Sequence, residues 1–415
     1  MTGSRGRLTT EQAECVECGR ASRLSAASGT CGCERRGNLA VRYTLDAARR
    51  AALLDSVAAD EPSLWRYAPL LPVERRFASR LMVGQTPLID CGEVGGARLH
   101  IKDETRNPSG SLKDRASEVV VAVAAAHGLR EVIVASTGNA AASLACVAAS
   151  AGLRAVIVVP HTAPPAKLAQ ILAYGATVYR VAGRYDDAFA LVETVSEKRG
   201  LFNRSTGINP FTREGKKTCA FEIAEQLGWR APDWVIAPTG DGNILSALWK
   251  GFQELAALGL LPALPRLVAA QSVASAAIAR AHGRHRALPN PDAADATIAD
   301  SITVDEPRDR VAALAALRDS DGLAVEVDDR AIVAATRAMA SRFGLFVEPS
   351  SAAAFAAFER MSEAGLIEPG QRVVCLATGT GLKDLRSVLS VASPEALAES
   401  APLLRPGDWR GVAPS

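Results

Sequence analysis

Short runs of β-branched residues alternate with helix-period stretches through most of this chain, and that alternation fixes the fold class before any single residue is weighed. The runs at 131–134, 155–159 and 177–181 read as strands, with helices at 112–127, 140–151, 166–174 and 185–199. The pattern resumes past residue 210 with strands at 234–237, 267–270, 324–327 and 373–377. Continuous apolar runs mark strands buried on both faces, as in a parallel sheet covered by helices. The expected architecture is α/β: two open-sheet domains, 46–205 and 206–395, after a small cysteine segment at 1–45 and before a tail at 396–415. Open α/β sheets bind ligands beyond the carboxyl ends of their strands, so the loops there should carry the chemistry.

Hydrophobic residues make up 48% of the 415 and charged residues 22%, ample material for two cores. Lys and Arg number 47 against 45 Asp and Glu, which leaves no electrostatic footprint for nucleic acid. The N-terminus lacks the apolar centre of a secretion signal, and no segment runs 18 apolar residues without charge or Gly. These features point to a cytoplasmic enzyme acting on a small molecule, with neither nucleic-acid nor membrane partners.

Asn107-Pro108-Ser109-Gly110-Ser111-Leu112-Lys113-Asp114 sets Lys113 behind a tight turn at the start of a helix. The helix dipole disfavours a cation there. A lysine kept neutral is a nucleophile that forms Schiff bases, the chemistry used with pyridoxal phosphate. A solvated first-turn lysine is the competing reading.

Three loops after strands invite anions or polar ligands. Ser136-Thr137-Gly138-Asn139 offers hydroxyls, a carboxamide and helix N-terminal amides to a carboxylate, although helix capping would use the same residues. Gly240-Asp241-Gly242-Asn243 has paired glycines that let consecutive amides form a phosphate nest, provided the Asp241 carboxylate turns away. Leu245 stands where a dinucleotide fingerprint needs its third glycine. Thr378-Gly379-Thr380-Gly381 follows the last strand.

Cys15-x-x-Cys18 and Cys31-x-Cys33 suit a ribbon offering four thiolates to one tetrahedral zinc, with a redox pair or four unliganded thiols as alternatives. Cys91, Cys146, Cys219 and Cys375 lie singly in apolar surroundings and read as inert buried thiols. His282 and His285 have helix-face spacing for a metal but nothing nearby to complete a site, and the stretch 281–309 reads as a solvated loop without a role.

Taken in order, these motifs resemble the fold type II, tryptophan synthase β-like, pyridoxal-phosphate enzymes. The wording is closest to the threonine synthases among them: Gln85-Thr86-Pro87-Leu88, Lys102-Asp103-Glu104, the 107–115 run, Glu214-Gly215-Lys216-Lys217-Thr218, Glu348-Pro349-Ser350-Ser351-Ala352 and the 378–384 loop. The resemblance covers about 64–390, and an N-terminal cysteine ribbon is similar to that of some members. It implies a homodimer and conversion of O-phospho-L-homoserine and water to L-threonine and phosphate.

The resemblance also implies residue roles. Lys113 would hold the cofactor and shuttle protons, Asn139 would bond its phenolic oxygen, Gly240, Asp241, Gly242 and Asn243 would cradle its phosphate, and Thr378 would face its ring nitrogen. Ser136, Thr137 and Gly138 would receive the substrate carboxylate. An arginine two places before the glutamate grips substrate phosphate in well-studied threonine synthases; here Thr212 stands there and Arg213 follows. A one-residue shift turns a helical side chain by about 100°, which leaves Arg204 or Lys216 as substitutes. A cysteate synthase-like replacement enzyme, a threonine or serine dehydratase and a non-catalytic relative are the alternatives.

Overall fold

The computed structural model describes residues 8–10, 12–25, 29–283, 287–290, 294–385 and 387; His285 and the 396–415 tail lie outside them. The chain opens with β1 (Gln12–Cys15), β2 (Ala21–Arg23) and β3 (Leu39–Arg42), an antiparallel sheet ordered β2-β1-β3. Gly37 packs so close to Cys15 that a Cβ there would come within 2.7 Å of its Sγ. The charged stretch that follows is a helix, α1 (Ala47–Ala58), its first turn capped by the Asp46 carboxylate accepting from the Arg49 amide.

A hairpin comes next, β4 (Leu88–Val94) and β5 (Ala97–Asp103). Then α2 (Lys113–Ala126), β6 (Glu131–Ala135), α3 (Asn139–Ala151), β7 (Arg154–Pro160), α4 (Pro165–Ala173), β8 (Thr177–Val181), α5 (Tyr185–Arg199) and β9 (Phe202–Asn203) alternate as expected. These strands form a parallel sheet ordered β8-β7-β6-β9.

The second half begins with two helices, α6 (Phe211–Lys216) and α7 (Thr218–Gln226), before β10 (Trp234–Pro238), α8 (Asn243–Ala257), β11 (Arg266–Ser272), α9 (Ala277–His282) and β12 (Ala287–Leu288). It ends with α10 (Arg310–Asp319), β13 (Leu323–Val327), α11 (Asp329–Phe343), α12 (Pro349–Glu363) and β14 (Arg372–Ala377). The larger sheet runs β12-β13-β11-β10-β14-β5-β4, parallel except for β4 at its edge. The stretch 46–205 therefore feeds both sheets, because the buried Leu99 and Ile101 of β5 pair along β14 and share its core with Val373 and Phe358.

Where the two sheets meet, the core is ionic. Arg115 on α2 donates from Nε to Glu104 at 2.7 Å and from Nη1 to Glu222 of α7 at 2.6 Å. Lys102 of β5 donates to the same Glu222 at 2.8 Å, and all four side chains are fully buried. Charges this deep are tolerable only when each is paired and hydrogen-bonded. The network locks α2, the helix that carries Lys113, to α7. Beside it α6 crosses α2 at Gly215, where a Cβ would fall 1.8 Å from the Arg115 carbonyl oxygen.

Candidate active site

Lys113 begins α2 behind a turn that the chain holds from two directions. Gly110 adopts φ +84°, a left-handed conformation that favours glycine. Asp114, in the first helical turn, folds back to accept from the Ser109 amide at 2.6 Å. From the other sheet, the Leu112 amide donates to the Thr378 carbonyl at 2.9 Å and the Thr380 amide to the Gly110 carbonyl at 3.0 Å. Lys113 is thereby fixed against the loop that ends β14.

It opens onto a cleft of about 1020 Å³ between the sheets. The loop Ser136–Asn139 forms one wall, Thr239–Gly242 another, and Glu348, Ser350 and Thr378 a third. Burial holds the Lys113 amine below its ordinary 10.5; Asp241 and Glu348 oppose that shift and Arg204 adds to it. An amine so placed is more readily neutral and nucleophilic.

Asn139 donates from Nδ2 to both carboxylate oxygens of Glu348, at 2.9 and 3.2 Å, and burial raises the Glu348 carboxyl above its ordinary range. Gly379 makes room for that pair, since a Cβ there would sit 2.5 Å from Glu348 Oε1. Thr378 Oγ1 lies 3.0 Å from Ser351 Oγ.

In the glycine loop, the Asp241 carboxylate turns back to accept from the Asn243 amide at 2.9 Å. Gly242 has φ +87°, and the amides of Gly240, Asp241 and Gly242 find no intramolecular acceptor among the described residues. Asn243 points behind the loop: its Oδ1 accepts from Lys216 at 2.6 Å and its Nδ2 donates to Asp309 at 3.0 Å.

Two expected substrate residues are not on the cleft. Thr212 donates its hydroxyl to the Asn209 carbonyl at 2.9 Å. Arg213 pairs with the buried Asp309 and donates from Nε to Ser246 at 3.2 Å. The carboxylate of Asp309 is what draws Arg213 away.

Of the arginines lining the cleft, Arg184, Arg204 and Arg308, Arg204 is the buried one, donating to Thr206 Oγ1 at 3.1 Å and to the Lys113 carbonyl at 3.4 Å. It has no carboxylate partner among its hydrogen bonds, and burial lowers its pKa to about 10. Next to it Ser205 Oγ is buried in the cleft wall without a partner.

The stretch expected to be a solvated loop supplies part of the wall, Asp300 to Glu306, with the Ser301 amide donating to Ser350 Oγ at 2.9 Å. Glu348 and this segment have no local signal of their role beyond the Glu348-Pro349-Ser350-Ser351 wording. His282 rests against the Gly322 carbonyl, with Nε2 at 3.3 Å. Burial pushes the thiols of Cys91 and Cys146 up to about 11, as inert thiols require. The sulfurs of Cys15, Cys18, Cys31 and Cys33 all lie within 4.8 Å of one another and form no disulfide.

A lysine at a helix start between two open sheets, facing a nest of unpaired amides, has the donors that pyridoxal phosphate needs: an amine for its aldehyde and amides for its phosphate. The chain belongs to the pyridoxal-phosphate dependent enzymes, the family whose model matches residues 80–379.

Among curated proteins it is 37% identical over 377 residues to the threonine synthase of Methanocaldococcus jannaschii, covering 89% of this chain and 92% of that one. It is 35% identical over 393 residues to that of Methanosarcina acetivorans, covering 93% and 96%. Within the class, its family is that of the threonine synthases.

Solved structures share the fold. Maize serine racemase superposes with a TM-score of 0.62 at 21% identity, covering 86% of this chain and 100% of that one. The processed form of threonine deaminase isoform 2 from Solanum lycopersicum gives 0.60 at 21% identity, covering 85% and 94%. No helix among the described residues is long and apolar enough to cross a membrane.

Proposed function

We propose that this enzyme converts O-phospho-L-homoserine and water to L-threonine and orthophosphate. The observation that carries this reading is the Arg204–Ser205 pair: a buried guanidinium with no carboxylate among its hydrogen bonds and a buried hydroxyl without a partner, both in the cleft wall with Lys113. Asp241 and Asp114 act on Arg204 through charge alone, without a hydrogen bond, and its three acceptors are neutral; a phosphate dianion supplies the charged acceptor in direct contact. This anion site is additional to the glycine nest, so the cleft offers places for two phosphates.

Lys113 would hold the cofactor's aldehyde carbon, the amides of 240–242 its phosphate, and Asn139 its phenolic oxygen, with Thr378 at the ring nitrogen. Bound pyridoxal phosphate supplies an electron sink for the carbanion left when the substrate loses its Cα proton. A neutral hydroxyl at the ring nitrogen does not favour its protonation, which suits elimination and replacement over transamination.

Lys113 Nζ, freed by substrate, takes the Cα proton and later returns a proton to the substrate carbon. Ser136, Thr137 and the Gly138 amide receive the substrate carboxylate. Arg204 and Ser205 hold the γ-phosphate and stabilise it as it departs. Incubation with O-phosphohomoserine should release equal amounts of phosphate and threonine. Ammonia released from threonine or serine, with no phosphate released from O-phosphohomoserine, would overturn the reading in favour of a dehydratase.

A further inference from the structure

We infer that Cys15, Cys18, Cys31 and Cys33 hold one zinc ion, and that the ribbon it closes braces the phosphate loop from behind through Asn38 and Tyr43. The inference concerns cofactor binding and does not depend on which amino acid is the substrate.

The metal site follows from sulfur geometry. Zn–S bonds of about 2.3 Å in a tetrahedron put sulfurs roughly 3.8 Å apart. Here Cys15 and Cys33 are 3.9 Å apart, as are Cys18 and Cys31. Backbone bonds preset the cluster: the Gly19 amide donates to the Cys15 carbonyl at 2.9 Å, and the Cys31 amide to the Gly37 carbonyl at 2.8 Å. Ala13 of β1 and Leu39 and Val41 of β3 join the same core as Val119 of α2 and Leu144 of α3, which holds the ribbon in place beside the cluster. Binding forms four Zn–S bonds and releases four thiol protons.

The brace follows from what surrounds β3. Asn38, just before it, donates from Nδ2 to Asp309 Oδ1 at 2.8 Å and to the Arg308 carbonyl at 3.0 Å. Asp309 in turn accepts from Asn243 Nδ2 at 3.0 Å, and its own amide donates to the Asp241 carbonyl at 3.1 Å. Tyr43, just after β3, donates to Glu214 Oε2 at 2.7 Å. Glu214 lies on α6 with Lys216, which donates to Asn243 Oδ1 at 2.6 Å. Both ends of β3 thus reach Asn243, the residue that starts α8 behind the nest, by separate routes. With the metal gone, the ribbon loses its closure and the phosphate loop loses two supports.

The test combines metal analysis with cofactor titration on the full chain. Mass spectrometry of purified protein should give one zinc per chain, and Cys18→Ser with Cys31→Ser should give none. Asn38→Ala leaves every cysteine in place and should keep its zinc. Its pyridoxal phosphate dissociation constant should rise about tenfold, the scale of one buried hydrogen bond to a carboxylate. The phosphorus resonance of the bound cofactor should shift with it, which a general loss of stability would not produce. Protein without zinc overturns the metal site, whether or not the double cysteine variant folds. Asn38→Ala with unchanged cofactor affinity and an unshifted phosphorus resonance overturns the brace.

Discussion

Arg213 is paired with Asp309 behind the glycine loop, whereas Arg204 lines the cleft. The two arginines should therefore fail differently. Arg204→Ala should lower kcat/KM for O-phosphohomoserine on the order of 10²-fold, as loss of a buried charge contact does. Arg213→Ala removes one partner of a buried ion pair and should lower folding stability by about 3–5 kcal/mol, read from urea midpoints. Equal losses of kcat/KM with no stability difference would contradict this division.

Lys113 should titrate below the 10.5 of an ordinary lysine. Because its pKa is depressed, the neutral amine predominates from a lower pH upward. The rate at which cofactor-free protein reacts with pyridoxal phosphate should therefore level off at lower pH than for a free alkylamine. Stopped-flow absorbance across pH 6 to about 10 measures it, and Lys113→Ala should show no such reaction.

Glu222 sits between Arg115 and Lys102, whose charges outweigh the burial that opposes them and hold its carboxyl down to about 2. A depressed carboxyl contributes stability that is complete above the unfolded pKa and disappears as pH falls through the folded one. Glu222→Gln should be less stable than the parent by about 3–5 kcal/mol at neutral pH. The gap should narrow as pH drops from the ordinary 4.5 toward about 2, as denaturation midpoints at several pH values would report.

Gly215→Ala should be close to unfoldable. Its Cβ would meet the backbone of Arg115 and Ala116 at 1.8 to 2.9 Å, and neither can swing aside as a side chain would. Soluble yield and thermal melting provide the check; a loss of about 4 kcal/mol or more is expected.

Much of this fold is legible in the sequence because parallel strands buried on both faces leave continuous apolar runs, and β6, β7, β10 and β14 all do. The β4–β5 hairpin is less so, because edge strand β4 carries Asp90 and Glu93 and three of its seven residues are exposed, none fully buried. Its place in the far sheet depends on pairing with β14, some 270 residues later, which no local pattern records. In the site, Lys113 and the loops around it can be found because glycines and hydroxyls cluster after strands. The direction of Arg213 cannot, because Asp309 sets it from 96 residues away. Asp309 itself lies in a stretch whose composition signals only loop.

The turn that presents Lys113 is stitched to Thr378 and Thr380, so the site joins points far apart along the chain. During synthesis the lysine leaves the ribosome long before the last strand that steadies it. A nascent chain then carries the amine before the residues that fix its turn exist, and the turn takes its final form only after Thr378 and Thr380 have emerged behind β14.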